Sequence, residues 1–154
     1  MTPQELTEYL HASIPISEAM GIRVVSAGSR RVVLAAPLLP NVNHQGTIFG
    51  GSLAGVAITA GFAVIVLALH DSGLAHRVVV QRHEYRYLLP GRSDFEAEAT
   101  IDHESWRRLG EALARRGVGR IEIGSTVRCG ASLIGESTGL FAALPPDEAT
   151  TSVF

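Results

Sequence analysis

The sequence predicts an α+β domain in which one antiparallel β-sheet wraps around a long central apolar helix. Residues 48–69 contain no formally charged side chain. Several strand-like segments follow, and in residues 94–102 the apolar Phe95, Ala97 and Ala99 alternate with acidic residues. A helix that is apolar on all sides must be buried, and a sheet with one apolar face needs a cover. The sheet can therefore bury the helix, and the helix can cover the apolar face of the sheet.

The part of the chain before the long helix is predicted to form packing elements and a loop. Pro3 favours a helix start, and Gly21 favours a helix stop. Alternating apolar residues around a Gly28 turn indicate two strands. The predicted elements are a helix at 3–12, a helical turn at 17–20, strands at 22–27 and 30–37, and an irregular loop at 37–46.

The part after the long helix is predicted as four strands and one inserted helix. The inserted helix, 104–116, has an apolar stripe through Trp106 and Leu109 and ends at Gly117. The strands are expected at 78–89, 94–102, 118–130 and 132–143, which makes 1–144 a single domain and 145–154 a loosely ordered tail. One copy would leave a sheet edge uncovered, so a homodimer or a dimer of dimers is expected.

Composition excludes several function classes. The 154 residues carry a net charge of −2, and all 13 basic residues are arginines without a basic stripe, which argues against nucleic acid. Cys129 is the only cysteine, so no internal disulfide is expected and a reducing cytoplasm fits. The N-terminal segment lacks a signal-like pattern. A one-span membrane protein is an alternative because residues 48–69 are long enough, but His70 and Asp71 flank them rather than arginines and aromatic anchors.

Two possible nucleophiles in the sequence are weak evidence for nucleophilic catalysis. Residues 135–139 spell G-x-S-x-G, which works as a nucleophile motif only at a strand-to-helix turn with a downstream histidine, and neither is expected here. Cys129 fits an inward strand position better than a nucleophilic one. The six histidines have no pair at helical i, i+4 spacing, so no metal site is predicted.

Residues 41–52 are the informative stretch. Gly46, Gly50 and Gly51 allow a ligand to approach the backbone, and the start of a helix offers unpaired N–H groups and the positive end of its dipole. This predicts a receptor for an oxyanion. His44, among turn residues before the helix, is expected to line it. The alternative is that Gly50 and Gly51 only permit close helix packing.

Three segments together carry a family resemblance. NHQGTIFGGS at 43–52 contains N-x-x-G-x-x-F-G-G, and YLLP at 87–90 and RRGVGRI at 115–121 accompany it. They resemble the hot-dog-fold thioesterase family that also occurs as the C-terminal domain of some acetyltransferases, over roughly residues 5–144. The resemblance implies an enzyme acting on a thioester of coenzyme A or acyl carrier protein, at a site shared by two subunits. No cofactor is implied beyond the 4'-phosphopantetheine or coenzyme A of the substrate.

Family members are linked both to thioester hydrolysis and to decarboxylation of malonyl-ACP, and the residues favour the second. Many hot-dog thioesterases have a histidine where Phe49 stands and an acid where Ile58 stands. Hydrolysis needs a base, whereas decarboxylation needs only stabilisation of an enolate. We therefore expect Gly50 and Gly51 to bind the thioester oxygen and Asn43 to orient the malonyl carboxylate. Secondary polar contacts are expected from His44 and Thr47.

Further residues are expected around this centre. The substrate-binding set is predicted to be Gly46, Phe49, Ser52, His83, Tyr85 and Tyr87, with Phe49 excluding water. Three arginines are expected to meet the carrier's phosphate or acidic surface, namely Arg82, Arg86 and Arg92, although they could equally form an ordinary solvated face. Two other functions stay open. One is a conventional thioesterase with its base on another strand, where Glu84 is expected to face solvent; the other is a non-catalytic module that binds acyl thioesters.

Overall fold

The computed structural model describes residues 1–146 and shows a six-stranded antiparallel sheet of order β1-β2-β4-β5-β6-β3. Most of the predicted tail, from residue 147 onward, lies outside the described residues. The strands are β1 (Arg23–Gly28), β2 (Arg31–Ala36), β3 (Arg77–Tyr87), β4 (Phe95–Thr100), β5 (Gly119–Cys129) and β6 (Ser132–Leu144). The helices are α1 (Pro3–Ser13), α2 (Pro15–Ala19), α3 (Gly50–Asp71) and α4 (His103–Arg116).

The long helix α3 is the centre of the core. It is apolar on every side, and the sheet covers it, as the sequence predicts. Gly61 brings helix and sheet into contact, because a Cβ at this position would lie 2.8 Å from the Phe141 ring on β6. The helix is long and apolar enough to span a membrane, but most of it is buried inside the protein's own fold. This burial favours the core helix over the membrane alternative.

The sheet follows the predicted alternation. On β4, Phe95, Ala97 and Ala99 are buried, while the acidic residues between them lie on the outer face. The strand ends at Thr100, before the predicted end, because Asp102 caps α4 by accepting a hydrogen bond from the Ser105 N–H at 2.9 Å. Gly117 ends α4 in the left-handed conformation, with φ of 68°.

Two boundaries differ from the prediction because of long-range backbone hydrogen bonds. The long helix begins at Gly50 rather than residue 48, since Ile48 bridges to Val42 and donates its N–H to the Gly91 carbonyl at 2.9 Å. Strand β3 ends at Tyr87 rather than residue 89, since the next two N–H groups both turn to the Ile134 carbonyl. Both differences fall at the start of α3 or beside it, where the candidate site lies.

Candidate functional site

Asn43 shapes the loop that leads into α3. Its Oδ1 accepts hydrogen bonds from the N–H groups of Gln45 at 2.9 Å and Thr47 at 3.2 Å. Its Nδ2 donates to the Thr47 hydroxyl at 2.9 Å and to the Ile48 carbonyl at 3.4 Å. The loop uses both amide hydrogens in this geometry, so the role of Asn43 in orienting a substrate carboxylate stays a prediction. Asn43 holds the loop in shape.

Asn41 connects three segments near the start of α3 by hydrogen bonds, and this role was not predicted from the sequence. Its side chain is only 2% exposed. Its Nδ2 donates to the carbonyls of Met20 and Pro37, both at 2.8 Å. Its own carbonyl accepts the Phe49 N–H at 2.7 Å. Asn41 therefore fixes the end of α2 and the start of α3 relative to each other.

The first turn of α3 presents two unpartnered backbone donors. The N–H groups of Ser52 and Leu53 donate to the Phe49 carbonyl, at 2.9 and 3.2 Å. The N–H groups of Gly50 and Gly51 have no acceptor among residues 1–146. The first turn contains no acidic residue, so the positive end of the helix dipole is not neutralised there. The turn has the chemistry of the predicted oxyanion receptor.

Aromatic side chains surround this turn. Tyr87 donates its hydroxyl hydrogen to the Gly50 carbonyl at 3.0 Å, and the Tyr85 ring lies 4.5 Å from the Tyr87 ring. The Phe49 ring lies directly over Gly51. Phe49 is 57% exposed in the single chain, so its predicted exclusion of water would need a second subunit to cover it.

The structure groups some predicted site residues and separates others. Thr47 and Ser52 are buried beside the helix start, while His44 and Gly46 are exposed at the outer tip of the loop. Gly46 needs its glycine because its φ is 71°. His83 lies four residues from Tyr87 on an extended strand, which is about 13 Å. His83 is therefore remote from the two N–H donors of its own protomer.

The inner face of β6 explains the G-x-S-x-G sequence. The Tyr85 ring occupies the space where Gly135 would carry a side chain, and Gly139 makes room for the Phe141 ring, 2.6 Å from its missing Cβ. The motif is a packing surface within a strand, consistent with the rejection of a nucleophile. Three buried polar atoms here have no partner among the described residues: His83 Nε2, the Tyr85 hydroxyl and Ser137 Oγ.

Burial keeps the two titratable groups of this cluster uncharged. It lowers the pKa of His83 below its ordinary value. It raises the pKa of the Tyr85 hydroxyl, and the neighbouring Tyr87 and Cys129 add to this effect. Both side chains are therefore neutral near pH 7, so they offer hydrogen bonds rather than charge to anything beside them.

Two of the three arginines predicted to contact a carrier are paired within the chain. Arg82 forms ion pairs with Glu84 at 3.7 Å and Glu122 at 3.5 Å, and Arg86 pairs with Glu136. Glu84 faces solvent as predicted. This pairing corresponds to the solvated-face alternative for both arginines. Arg92 differs: it is exposed, has no ion pair with the described residues, and follows Gly91, whose carbonyl binds the loop at Ile48.

A six-stranded antiparallel sheet wrapped around one long apolar helix is the hot-dog fold. The family model described as "Putative thioesterase (yiiD_Cterm)" matches residues 3–145, and the chain belongs to this family. Membership supports a thioesterase-like function on acyl thioesters.

Solved structures agree on the fold. A protein of unknown function from Chlorobaculum tepidum is similar at 25% identity over 94% of this chain and 98% of that one, with a TM-score of 0.87. A Shewanella oneidensis protein, titled a putative thioesterase, is similar at 25% identity over 93% and 97%, with a TM-score of 0.84. A Haemophilus influenzae thioesterase at 18% identity covers 94% and 92%, with a TM-score of 0.75, and shows the fold alone.

Proposed function

We propose that this chain decarboxylates a malonyl thioester to the acetyl thioester. The observation that carries the proposal is the pair of unpartnered N–H groups at Gly50 and Gly51, at the start of a helix without a carboxylate in its first turn. In the reaction, the bond between the α-carbon and the carboxylate carbon breaks and carbon dioxide leaves. The electron pair moves onto the thioester oxygen as an enolate, and a proton from water then restores the methyl group.

The two N–H groups suit an oxygen that gains negative charge. Fixed donors stabilise such an oxygen more strongly than water does, because they need no reorganisation during the reaction. The helix dipole adds to this stabilisation. A nearby carboxylate would oppose the developing charge, and residues 50–70 of α3 contain none.

Hydrolysis is the second candidate, favoured by the description of the family. It needs a base that reaches a water beside the thioester carbon. His83 is about 13 Å along β3 from Tyr87, which itself contacts Gly50. Glu84 lies on the outer face and is 77% exposed. Neither side chain reaches the N–H donors of its own protomer, which supports decarboxylation over hydrolysis.

The proposed substrate is carried by coenzyme A or acyl carrier protein, through a 4'-phosphopantetheine arm. Since Arg82 and Arg86 are paired with glutamates, Arg92 is the best-placed of the three predicted arginines for the phosphate. Arg92 directly follows Gly91, whose carbonyl accepts the Ile48 N–H, so Arg92 lies beside the loop that leads into the candidate site. A guanidinium can bind phosphate through two parallel hydrogen bonds.

We also propose a homodimer, or a dimer of dimers, in the cytoplasm. Strand β3 is at the edge of the sheet, and its Val79 and Val80 are exposed, as are Phe49 and Leu89 near the site. Exposed apolar side chains beside an unpaired strand edge favour association with a second copy. A partner subunit there would cover Phe49 and exclude water from the enolate. The single cysteine fits a reducing compartment.

Intact mass spectrometry of malonyl-ACP after incubation with the protein tests the reaction. Conversion to acetyl-ACP is the expected result. Release of free-thiol carrier, without acetyl-ACP, would instead establish hydrolysis. Tight binding of the thioester with no change in mass would establish a binding module.

A further inference from the structure

We propose that two copies of the chain pair through β3 about a two-fold axis at Tyr85, and that His83 of the partner subunit thereby enters each candidate site. There it hydrogen-bonds the carboxylate of the malonyl group. The register and the crossing side chain go beyond the homodimer proposed above, and the ligand assigned to that side chain rests on the proposed function.

Strand β3 offers a regular stretch of free edge only beyond its bulge. It lies at the edge of the sheet, and its pairing with β6 shifts between Val80 and Arg82. The side chain of the extra residue, Gln81, accepts a hydrogen bond from the Arg120 guanidinium at 2.7 Å. A bulge leaves its extra residue unpaired and bends the strand. Regular pairing with a second strand is therefore confined to residues 82–87.

Alternating charges on the outer face select the register within this stretch. Arg82, Glu84 and Arg86 follow one another there, and all three are well exposed. With an antiparallel pair and an axis at Glu84, this carboxylate opposes its own copy and Arg82 opposes the partner's Arg86, which is unfavourable. An axis at Tyr85 sets each Glu84 against the partner's Arg86. Opposite charges then face each other in two places.

The bulge disfavours the other axis that would pair opposite charges. An axis at His83 also sets arginine against glutamate, but it draws the bulged Gln81 into the paired region. With the axis at Tyr85, all the paired residues, 83–87, lie beyond the bulge. The same register directs the exposed valines before the bulge towards the exposed leucines that follow the partner's β3. Apolar surface is therefore covered as well.

This register places the partner's His83 at the candidate site. Residues 83 and 87 are equidistant from the axis, so the partner's His83 lies opposite Tyr87 on the inner face, with Cα atoms about 5 Å apart. Tyr87 contacts Gly50, because its hydroxyl donates to the Gly50 carbonyl at 3.0 Å. An imidazole that is about 13 Å along β3 from its own Tyr87 thus comes within one side chain of the N–H donors of the other protomer.

The His83 imidazole has a free ring nitrogen and no charge. Burial lowers its pKa, so the ring is neutral near pH 7. Its Nε2 is enclosed by its own chain, but Nδ1 is not enclosed and forms no hydrogen bond with residues 1–146. In the tautomer protonated at Nδ1, this nitrogen can donate a hydrogen bond across the interface.

A neutral donor suits a carboxylate that has to leave as carbon dioxide. A cation would stabilise the carboxylate in the bound substrate and so oppose its loss. Within the site's own chain, the amide hydrogens of Asn43 and the hydroxyl hydrogen of Tyr87 are already bonded. The partner's His83 supplies a polar group that is not committed in this way.

Cysteine cross-linking measures the register without an assay of activity. Cys129→Ser gives a background without cysteine. Arg82→Cys, Glu84→Cys and Arg86→Cys each add one thiol on the exposed outer face. Directly opposed Cα atoms are about 5 Å apart, a distance that a disulfide can span.

Oxidised mixtures of two single-cysteine chains report the position of the axis. The mixture of Glu84→Cys with Arg86→Cys should form the most disulfide-linked dimer. Linkage mainly between Glu84→Cys and Arg82→Cys, or of Glu84→Cys with itself, would overturn the register. Absence of linkage in every mixture would overturn it as well.

Mixed dimers test whether His83 acts across the interface. His83→Ala should lower kcat/KM about tenfold through the loss of one hydrogen bond. A dimer of one His83→Ala chain and one Gly50→Pro chain, purified through two different affinity tags, keeps one site with both wild-type residues. It should therefore show about half the wild-type turnover. Turnover below that of the His83→Ala dimer would mean that His83 acts in its own chain, which overturns the assignment.

The matched control joins a wild-type chain to a chain that has both substitutions. If His83 acts across the interface, this dimer has no intact site and its turnover should fall below that of the His83→Ala dimer. Retention of about half the wild-type turnover in this control would contradict the assignment.

The product separates this proposal from the proposed function. Acetyl thioester made by the first mixed dimer supports both. Release of free thiol would make the partner's His83 the base of a hydrolase, which overturns the proposed function and the carboxylate assignment but leaves the register. If the wild type converts no malonyl thioester, the role of His83 fails with the proposed function, and the cross-links decide the register.

Discussion

At the scale of single residues, Gly50 allows its backbone N–H to be tested without disrupting the helix. Proline at the first helical position removes the N–H and suits the helix, and the extended Phe49 before it, with φ −61° and ψ 132°, accepts a following proline. We expect Gly50→Pro to reduce kcat by about 10²-fold, the usual effect of losing one oxyanion donor. Steady-state decarboxylation assays measure this effect.

Gly50→Ala is the matched control, because it also places a Cβ 3.2 Å from the Tyr87 ring but keeps the N–H. It should retain most of the activity. Equal loss in both variants would show that contact with Tyr87, rather than the missing donor, causes the defect.

Asn43 yields a second residue-scale prediction, which separates a structural role from substrate binding. Its side chain makes four hydrogen bonds within the loop. Asn43→Ala leaves the part-buried Thr47 N–H without its acceptor, so we expect a loss of about 1–3 kcal/mol in the free energy of unfolding. Urea denaturation measures it, with Gln45→Ala at the exposed loop tip as the control. Unchanged stability combined with lost activity would instead support the predicted direct role in substrate binding.

At the scale of elements, the sequence predicts what depends on local pattern. The alternation in β4 and the uncharged run of α3 are regular, and their burial follows from period and composition alone. The true start of α3 could not be predicted, because it depends on an Ile48 N–H that binds Gly91, far along the chain. The same limit applies to Arg82, whose partner Glu122 is on another strand.

Some residues of the candidate site could likewise be predicted from the sequence, and others could not. Gly50 and Gly51 stand out because glycines at a helix start have a direct physical consequence. Asn41 and Met20 do not, because their contact joins segments 21 residues apart. The loop-shaping role of Asn43 was open to prediction, because asparagine in a turn commonly bonds its own backbone and this local signal is present in the sequence.

The inner faces of β5 and β6 allow an element-scale prediction from two serines that pair in register. Ser125 Oγ donates to the Ala57 carbonyl at 3.2 Å, whereas Ser137 Oγ is buried without a partner among the described residues. Ser125→Ala should lower the free energy of unfolding by about 1 kcal/mol. Ser137→Ala should leave it unchanged or raise it, because the variant removes a buried unpaired hydroxyl. Urea denaturation of both variants measures the difference, and an equal loss would contradict the assignment.

At the scale of the whole molecule, the open edge at β3 connects assembly with catalysis. A water-exposed Phe49 poorly protects an enolate, and the open edge strand β3 carries Tyr87 at one end and the exposed Val79 and Val80 towards the other. A second copy that pairs along β3 satisfies both requirements, since it completes the backbone hydrogen bonding of the edge and covers apolar surface near the site. Activity should therefore depend on protein concentration through the dimer.

Val80→Arg tests this dependence. Val80 is 46% exposed on β3, and a charge there opposes burial against a second strand edge. We expect size-exclusion chromatography with light scattering to show that the variant is a monomer. The variant should lose most of its decarboxylase activity. Its thermal unfolding temperature should be close to that of a wild-type protomer outside the dimer. Val118→Arg is the control, because Val118 is 37% exposed in the turn between α4 and β5, away from the β3 edge. The Val118→Arg variant should stay dimeric and active. A Val80→Arg dimer with wild-type activity would place the interface elsewhere, whereas a fully active monomer would mean that one chain alone shields the enolate.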